Sequence, residues 1–122
     1  MKDLQQQAEE FRHYYEVKNS ISNREMQLDL IKEEFAEFVE AEAYSQSAYA
    51  SQRVDALKEL ADLVYVCFQY AENREWDLLT ALTRVHESNM SKLGPDMKPI
   101  RREDGKILKG PNYFKPELKD LV

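Results

Sequence analysis

Two short strings carry carboxylates at helical spacing: Glu33-Glu34-Phe35-Ala36-Glu37 and Glu59-Leu60-Ala61-Asp62. Glu34 and Glu37 are three apart, as are Glu59 and Asp62. On helices each pair projects from one face, with β-carbons about 5–6 Å apart. Where two such helices pack, four acids can meet, and left alone they would repel one another and carry a desolvation cost. Something positive must sit between them. A hard divalent ion, Mg²⁺ or Mn²⁺, suits oxygen donors and keeps open positions for water and phosphate oxygens. No histidine or cysteine stands in either string, which argues against zinc. The bland alternative is a solvated acidic face, and Glu33-Glu34 alone would fit it. Glu59 and Asp62 fit it poorly, because Leu60, Ala61, Leu63 and Val64 surround them in the most apolar stretch of the chain, where a carboxylate needs a reason.

A second group of residues suits phosphate. Asn89 and Lys92 are three apart, so both can face one side near the end of a helix, Lys92 toward a β- or γ-phosphate and Asn89 toward a phosphate or sugar oxygen. Alternatively, Lys92 complements a helix C-terminus and Asn89 is an interior polar residue. Beyond them Arg101, Arg102, Lys106 and Lys109 form a basic segment that can close over a polyphosphate, with Gly110 permitting close backbone approach. The competing reading is an oligomer-forming arm, with Tyr113 and Phe114 packing on a neighbour. Tyr113 completes the candidate nucleotide-binding set. Residues 1–91 carry 9 Lys+Arg and 18 Asp+Glu, whereas 92–122 carry 8 and 5. An acidic body with a basic tail is a poor match for a duplex-binding module, and no nucleic-acid partner is expected.

These residues need helices to hold them. The chain has 122 residues, 43% hydrophobic and 33% charged, which fits one domain. Its first glycine and proline are Gly94 and Pro95, so residues 1–93 read as an all-helical body and 94–122 as an irregular basic tail of the same domain. Helices are expected at about Asp3–Val17, Ser22–Ala43, Gln52–Asn73 and Trp76–Lys92. Ser22 would cap the second with Glu25 in a capping box. Tyr44–Ser51 reads as a loop or frayed end, and Asp104-Gly105 as a tight turn. The third helix is apolar nearly all round from Leu60 to Phe68, which makes it the expected buried centre. No bilayer-length apolar run and no signal-peptide core are visible, so a cytoplasmic protein without a membrane partner is expected. The single cysteine, Cys67, reads as a small buried apolar residue.

The order and spacing of these strings resemble a known family. Glu34…Glu37 followed by Glu59…Asp62, with Asn89-Met90-Ser91-Lys92 closing the fourth helix, is similar to the metal signature and N-x-x-K of the all-α nucleotide pyrophosphohydrolases. That group includes MazG, all-α dUTPases, dCTP pyrophosphatases and phosphoribosyl-ATP pyrophosphohydrolases. The resemblance implies a four-helix MazG-like bundle assembled as a homodimer or tetramer, in a bacterial or phage-infected cell. It also implies Mg²⁺-dependent cleavage between the α- and β-phosphates of a nucleoside triphosphate, releasing pyrophosphate. Glu34, Glu37, Glu59 and Asp62 are then the metal set, and Glu33 or Glu34 the general base. The long tail is similar to phage-type relatives of the purine-handling branch, such as enzymes that cleave dGTP. Phosphoribosyl-ATP, dUTP and dCTP remain alternative substrates. A rival from another class is a non-catalytic helical adaptor whose acidic face docks a basic partner.

The remaining conspicuous side chains read as structural. His13 and His86 have no ligand spacing. Trp76 reads as a core or interface aromatic rather than a base-stacking one. Phe11, Tyr14 and Tyr15 can wall a base pocket, with core packing the more ordinary role.

Overall fold

A computed structural model of the chain describes residues 1–45 and 49–122. Among the described residues it has four α-helices and a closing 3-10 turn, with no β-strand beyond one isolated antiparallel bridge, Arg101 to Ile107. This is the all-α architecture expected from the periodicity. The helices are α1 (Leu4–Tyr14), α2 (Ile21–Ser45), α3 (Ala50–Asn73) and α4 (Leu78–Met90). The chain divides into two compact units, Met1–Trp76 and Asp77–Val122.

In the first unit, α2 and α3 form an antiparallel hairpin. Asn73 at the end of α3 donates to the Ser20 carbonyl just before α2, and the far ends meet where Tyr44 and Gln52 line one cleft. Helix α1 packs on α3, with the Phe11 ring edge-on to Tyr65 at 5.8 Å. Asp3 and Gln6 cap α1 reciprocally in a capping box, which satisfies two otherwise orphaned backbone N–H groups. Helix α1 stops at Tyr14 rather than Val17, because Glu16 takes a positive φ of 54° that no helix interior accommodates.

The start of α2 also differs from expectation. Ser20, not Ser22, takes the capping role, its hydroxyl accepting from the Asn23 N–H at 3.1 Å. Of the expected Tyr44–Ser51 loop, Tyr44 and Ser45 belong to α2 and Ala50 and Ser51 to α3. Residues 46–48 lie outside the described ones.

The buried interior of this unit holds small apolar groups and a polar clasp. Among the described residues, Ala8, Ala56, Phe68 and Ala71 are the buried hydrophobic ones. Beside them Arg12, only 6% exposed, donates to the Gln69 side chain and carbonyl, the Lys18 carbonyl, Asn19 and Asn73. One guanidinium thus ties α1, the α1–α2 connection and α3 together. Helix α3 is the expected buried centre in that it carries Ala56, Phe68 and Ala71, but it is not buried all round: Leu60, Val64 and Tyr65 are each about two-fifths exposed in the chain by itself. Phe11 is similarly exposed and Tyr14 and Tyr15 are largely so, so core packing does not describe them. Cys67 is half-buried, and desolvation raises its thiol pKa. Trp76 is also half-buried, with the Arg74 guanidinium over its ring at 4.5 Å and Tyr70 edge-on at 5.9 Å.

The second unit is α4 and the segment that returns along it. Asp77 accepts from the Thr80 N–H at 3.0 Å and from its hydroxyl, so α4 starts at Leu78 and not at Trp76. The expected turn is present: Gly105 has φ 88°, and the Arg102 N–H donates to the Lys106 carbonyl at 2.9 Å. From Gly110 the chain runs back along α4. The Gly110 N–H reaches the Lys92 carbonyl at 2.9 Å, Ser88 donates to the Phe114 carbonyl at 2.8 Å, and Arg84 grips Asp120 through two bonds. No helix among the described residues is long and apolar enough to cross a membrane.

Candidate metal centre

The hairpin register brings acids from α2 and α3 face to face. Glu34, Glu59 and Asp62 each offer a carboxylate oxygen within 4.8 Å of the others. Glu34 comes from the middle of α2, while Glu59 and Asp62 are one turn apart on α3, as their spacing predicts. Glu37, one turn beyond Glu34, interacts with both Glu34 and Glu59. Three of the four expected metal-set residues therefore converge, and the fourth, Glu37, lies beside them without being one of the three. Glu33 is exposed on α2 and is not among the converging three.

The electrostatics are those of an acidic cluster short of positive charge. The Glu37 carboxyl is held above its usual pKa, first by the Glu34 charge, then by desolvation and a hydrogen bond shared with Glu34. Burial is the main cause that raises Glu59, with Glu37 adding to it and Lys58 opposing it. Desolvation and like charge both penalise the ionised form. Lys58 supplies part of the missing charge. Its ammonium is 2.6 Å from Asp62 Oδ2 and 3.8 Å from Glu59 Oε1, and the hydrogen bond to Asp62 is the first cause that raises the Lys58 pKa. Yet Glu34 Oε2 and Glu59 Oε2 are buried with no hydrogen-bond partner. Buried acceptors are nearly always satisfied in folded proteins, so two orphaned carboxylate oxygens in one oxygen-only cluster fit a divalent ion such as Mg²⁺ or Mn²⁺.

From the cluster a cleft of about 400 Å³ extends toward the hairpin end, lined among others by Glu37, Glu40, Tyr44, Gln52, Asp55 and Glu59. Its volume falls within the range of small-ligand sites. The sequence reading passed over Glu40, Asp55 and Lys58, although simple continuation of the spacing marks them. Glu40 is three beyond Glu37, Asp55 is four before Glu59, and Lys58 is four before Asp62.

The phosphate-binding candidates lie in the second unit. Asn89 is exposed in the last turn of α4, and the half-buried Lys92 follows the helix, its N–H bonding the Asn89 carbonyl. Arg101 donates to the Gly105 carbonyl, Arg102 pairs with Asp104, and the Lys109 ammonium stands 4.8 Å over the Tyr113 ring. Lys106 is exposed, and its backbone N–H bonds Asp104. Three of these four tail cations thus have partners inside the tail itself.

The family model described as phosphoribosyl-ATP pyrophosphohydrolase matches residues 2–89 of the chain. No curated protein matches the chain.

Proposed function

Since the chain belongs to the phosphoribosyl-ATP pyrophosphohydrolase family, within the MazG-like all-α superfamily, we propose that it is a divalent-metal-dependent enzyme cleaving the α–β bond of a purine nucleotide triphosphate. The products are the monophosphate and pyrophosphate. Phosphoribosyl-ATP is the first substrate to test, because the family's name carries it, and dGTP is the second. Both present the same triphosphate chain to the same acids.

The observation that carries this reading is the pair of orphaned oxygens, Glu34 Oε2 and Glu59 Oε2, inside a cluster of acids drawn from two helices. Glu34, Glu37, Glu59 and Asp62 would hold Mg²⁺ or Mn²⁺, which when bound neutralises a polyphosphate and acidifies an attacking water. The residues themselves do the rest. Glu33 or Glu34 accepts the proton of that water. The α2–α3 hairpin fixes the acids on two rigid helices, so little reorganisation is needed as negative charge shifts toward the leaving pyrophosphate. Asn89, Lys92, Arg101, Arg102, Lys106, Lys109 and Tyr113 are the proposed nucleotide contacts outside the acidic cluster.

The test is incubation of purified protein with phosphoribosyl-ATP, dGTP, dUTP and dCTP, each with Mg²⁺, Mn²⁺ or chelator, the products being separated. Metal-stimulated pyrophosphate release from a purine nucleotide is expected. Asp62→Asn and Glu59→Gln should each lower turnover by at least about 10²-fold, the lower end of what positioned catalytic groups contribute, with helix content retained. Release of pyrophosphate from none of these substrates would overturn the reading in favour of a non-catalytic helical adaptor.

A further inference from the structure

We propose that Lys58 is a tethered counter-cation, holding the acidic cluster together in the metal-free protein and displaced when a divalent ion binds. The proposal rests on the metal-binding reading of the cluster. Lys58 is fixed to the site by helix geometry alone: one residue before Glu59 and four before Asp62, it has Asp62 as its neighbour on the next turn. Its ammonium contacts Asp62 Oδ2 at 2.6 Å and lies 3.8 Å from Glu59 Oε1, so it stands against two of the three converging carboxylates.

Two features separate this from an ordinary surface ion pair. The ammonium sits on two carboxylates, Asp62 and Glu59, that the proposed ion would also use. A divalent cation takes carboxylate oxygens at about 2.0–2.1 Å, which would leave the two cations close enough to repel strongly while competing for the same carboxylates. The ammonium is also an incomplete substitute. It engages Asp62 and Glu59 Oε1, yet Glu34 Oε2 and Glu59 Oε2 stay buried and unpartnered. Departure is easy, because the Lys58 side chain is 67% exposed and its flexible stem can carry the charge into water. Tethering gives the ammonium a high local concentration at the cluster. A free monovalent cation gains little by replacing it, whereas a divalent ion brings twice the charge and reaches the inner oxygens.

Calorimetric titration with Mn²⁺ alone tests this on three proteins: wild type, Lys58→Met, which keeps the apolar stem, and Lys58→Arg, which keeps the charge. Lys58→Met should bind Mn²⁺ roughly two- to fivefold more tightly than wild type, the span set by one exposed ion pair, while Lys58→Arg stays near wild type. In chelator, the thermal midpoint of Lys58→Met should fall below wild type, and in saturating Mn²⁺ the two should converge. A residue that merely supports α3 would weaken or leave unchanged the ion's affinity, so equal or weaker Mn²⁺ binding by Lys58→Met overturns the proposal while leaving the metal centre standing. Absence of Mn²⁺ binding by all three proteins overturns the metal centre itself.

Discussion

Glu37 and Glu59 hold their protons more firmly than free glutamate, whose ordinary value is 4.5, and this has a definite consequence for stability. Folding raises these two pKa values, so the folded chain binds more protons than the unfolded one from the ordinary value upward. In chelator their contribution is fully present below that value and is lost as pH rises through the raised ones. Asp77, Asp104 and Asp120 are lowered from 3.8, chiefly by hydrogen bonds from Thr80, Arg102 and Arg84 respectively. Their contribution has the opposite sense, being lost only as pH falls below the ordinary aspartate value. Melting in chelator should therefore show a midpoint that declines as pH climbs above the glutamate range, and the double change Glu37→Gln, Glu59→Gln should flatten that decline. Because an ion must compete with protons for these carboxylates, the midpoint gained on adding Mg²⁺ should grow with pH; a gain independent of pH would contradict the site. Arg12 makes a second prediction at the same scale. Arg12→Met leaves Asn19, Asn73 and Gln69 acceptors without their donor in a nearly closed interior, and should cost about 2–3 kcal/mol by urea denaturation.

At the scale of elements, the strap along α4 is held by backbone fit as well as by side chains. A β-carbon on Gly110 would meet the Leu93 carbonyl oxygen at 2.5 Å and that of Lys92 at 2.7 Å, and neither belongs to a side chain that can step aside. Gly110→Ala should therefore loosen the return segment by about 1–3 kcal/mol, the usual cost of overpacking, seen as faster amide exchange over residues 110–121. Sequence foresaw some of this and missed some, for physical reasons. Helical periodicity and the late first glycine made all four helices legible, and the three-residue spacing of the acids made their shared faces legible. The end of α3 at Asn73 was read correctly, but the other helix ends were misjudged by one to three residues, because caps depend on local dihedral choices such as the positive φ of Glu16, which several neighbouring residue types would serve equally well on paper. The Arg12 clasp joins residues 57 and 61 positions apart, and Arg84 meets Asp120 across 36. No periodicity encodes such pairs. Lys58 was hidden for another reason: an exposed lysine four residues from an aspartate is commonplace on helices, and only the convergence of Glu34 from α2 makes this one unusual.

For the whole molecule, the exposed apolar side chains of the hairpin are the feature least compatible with a lone chain in water. On α3, Val54, Leu57 and Val64 are exposed at three- to seven-residue intervals, and on α2 so are Leu28, Phe35 and Val39. Phe35 and Leu57 show 57% and 67% of their surface. An amphipathic helix normally turns such a stripe toward a core, and large exposed apolar patches mark interaction surfaces. Four buried apolar residues among the described ones are a thin core for a chain this size, and small domains commonly make up the deficit by association. We expect a second copy of the chain to cover the hairpin, in a closed two-fold dimer or a pair of dimers. Leu57→Glu places a charge in the proposed interface without touching the acidic cluster, and a desolvated interface charge without a partner costs several kcal/mol. Sedimentation equilibrium should then show wild type as a dimer or tetramer and Leu57→Glu shifted toward monomer by at least about tenfold in dissociation constant. A wild-type chain that stays monomeric at all soluble concentrations would rule out self-association as the cover for this face.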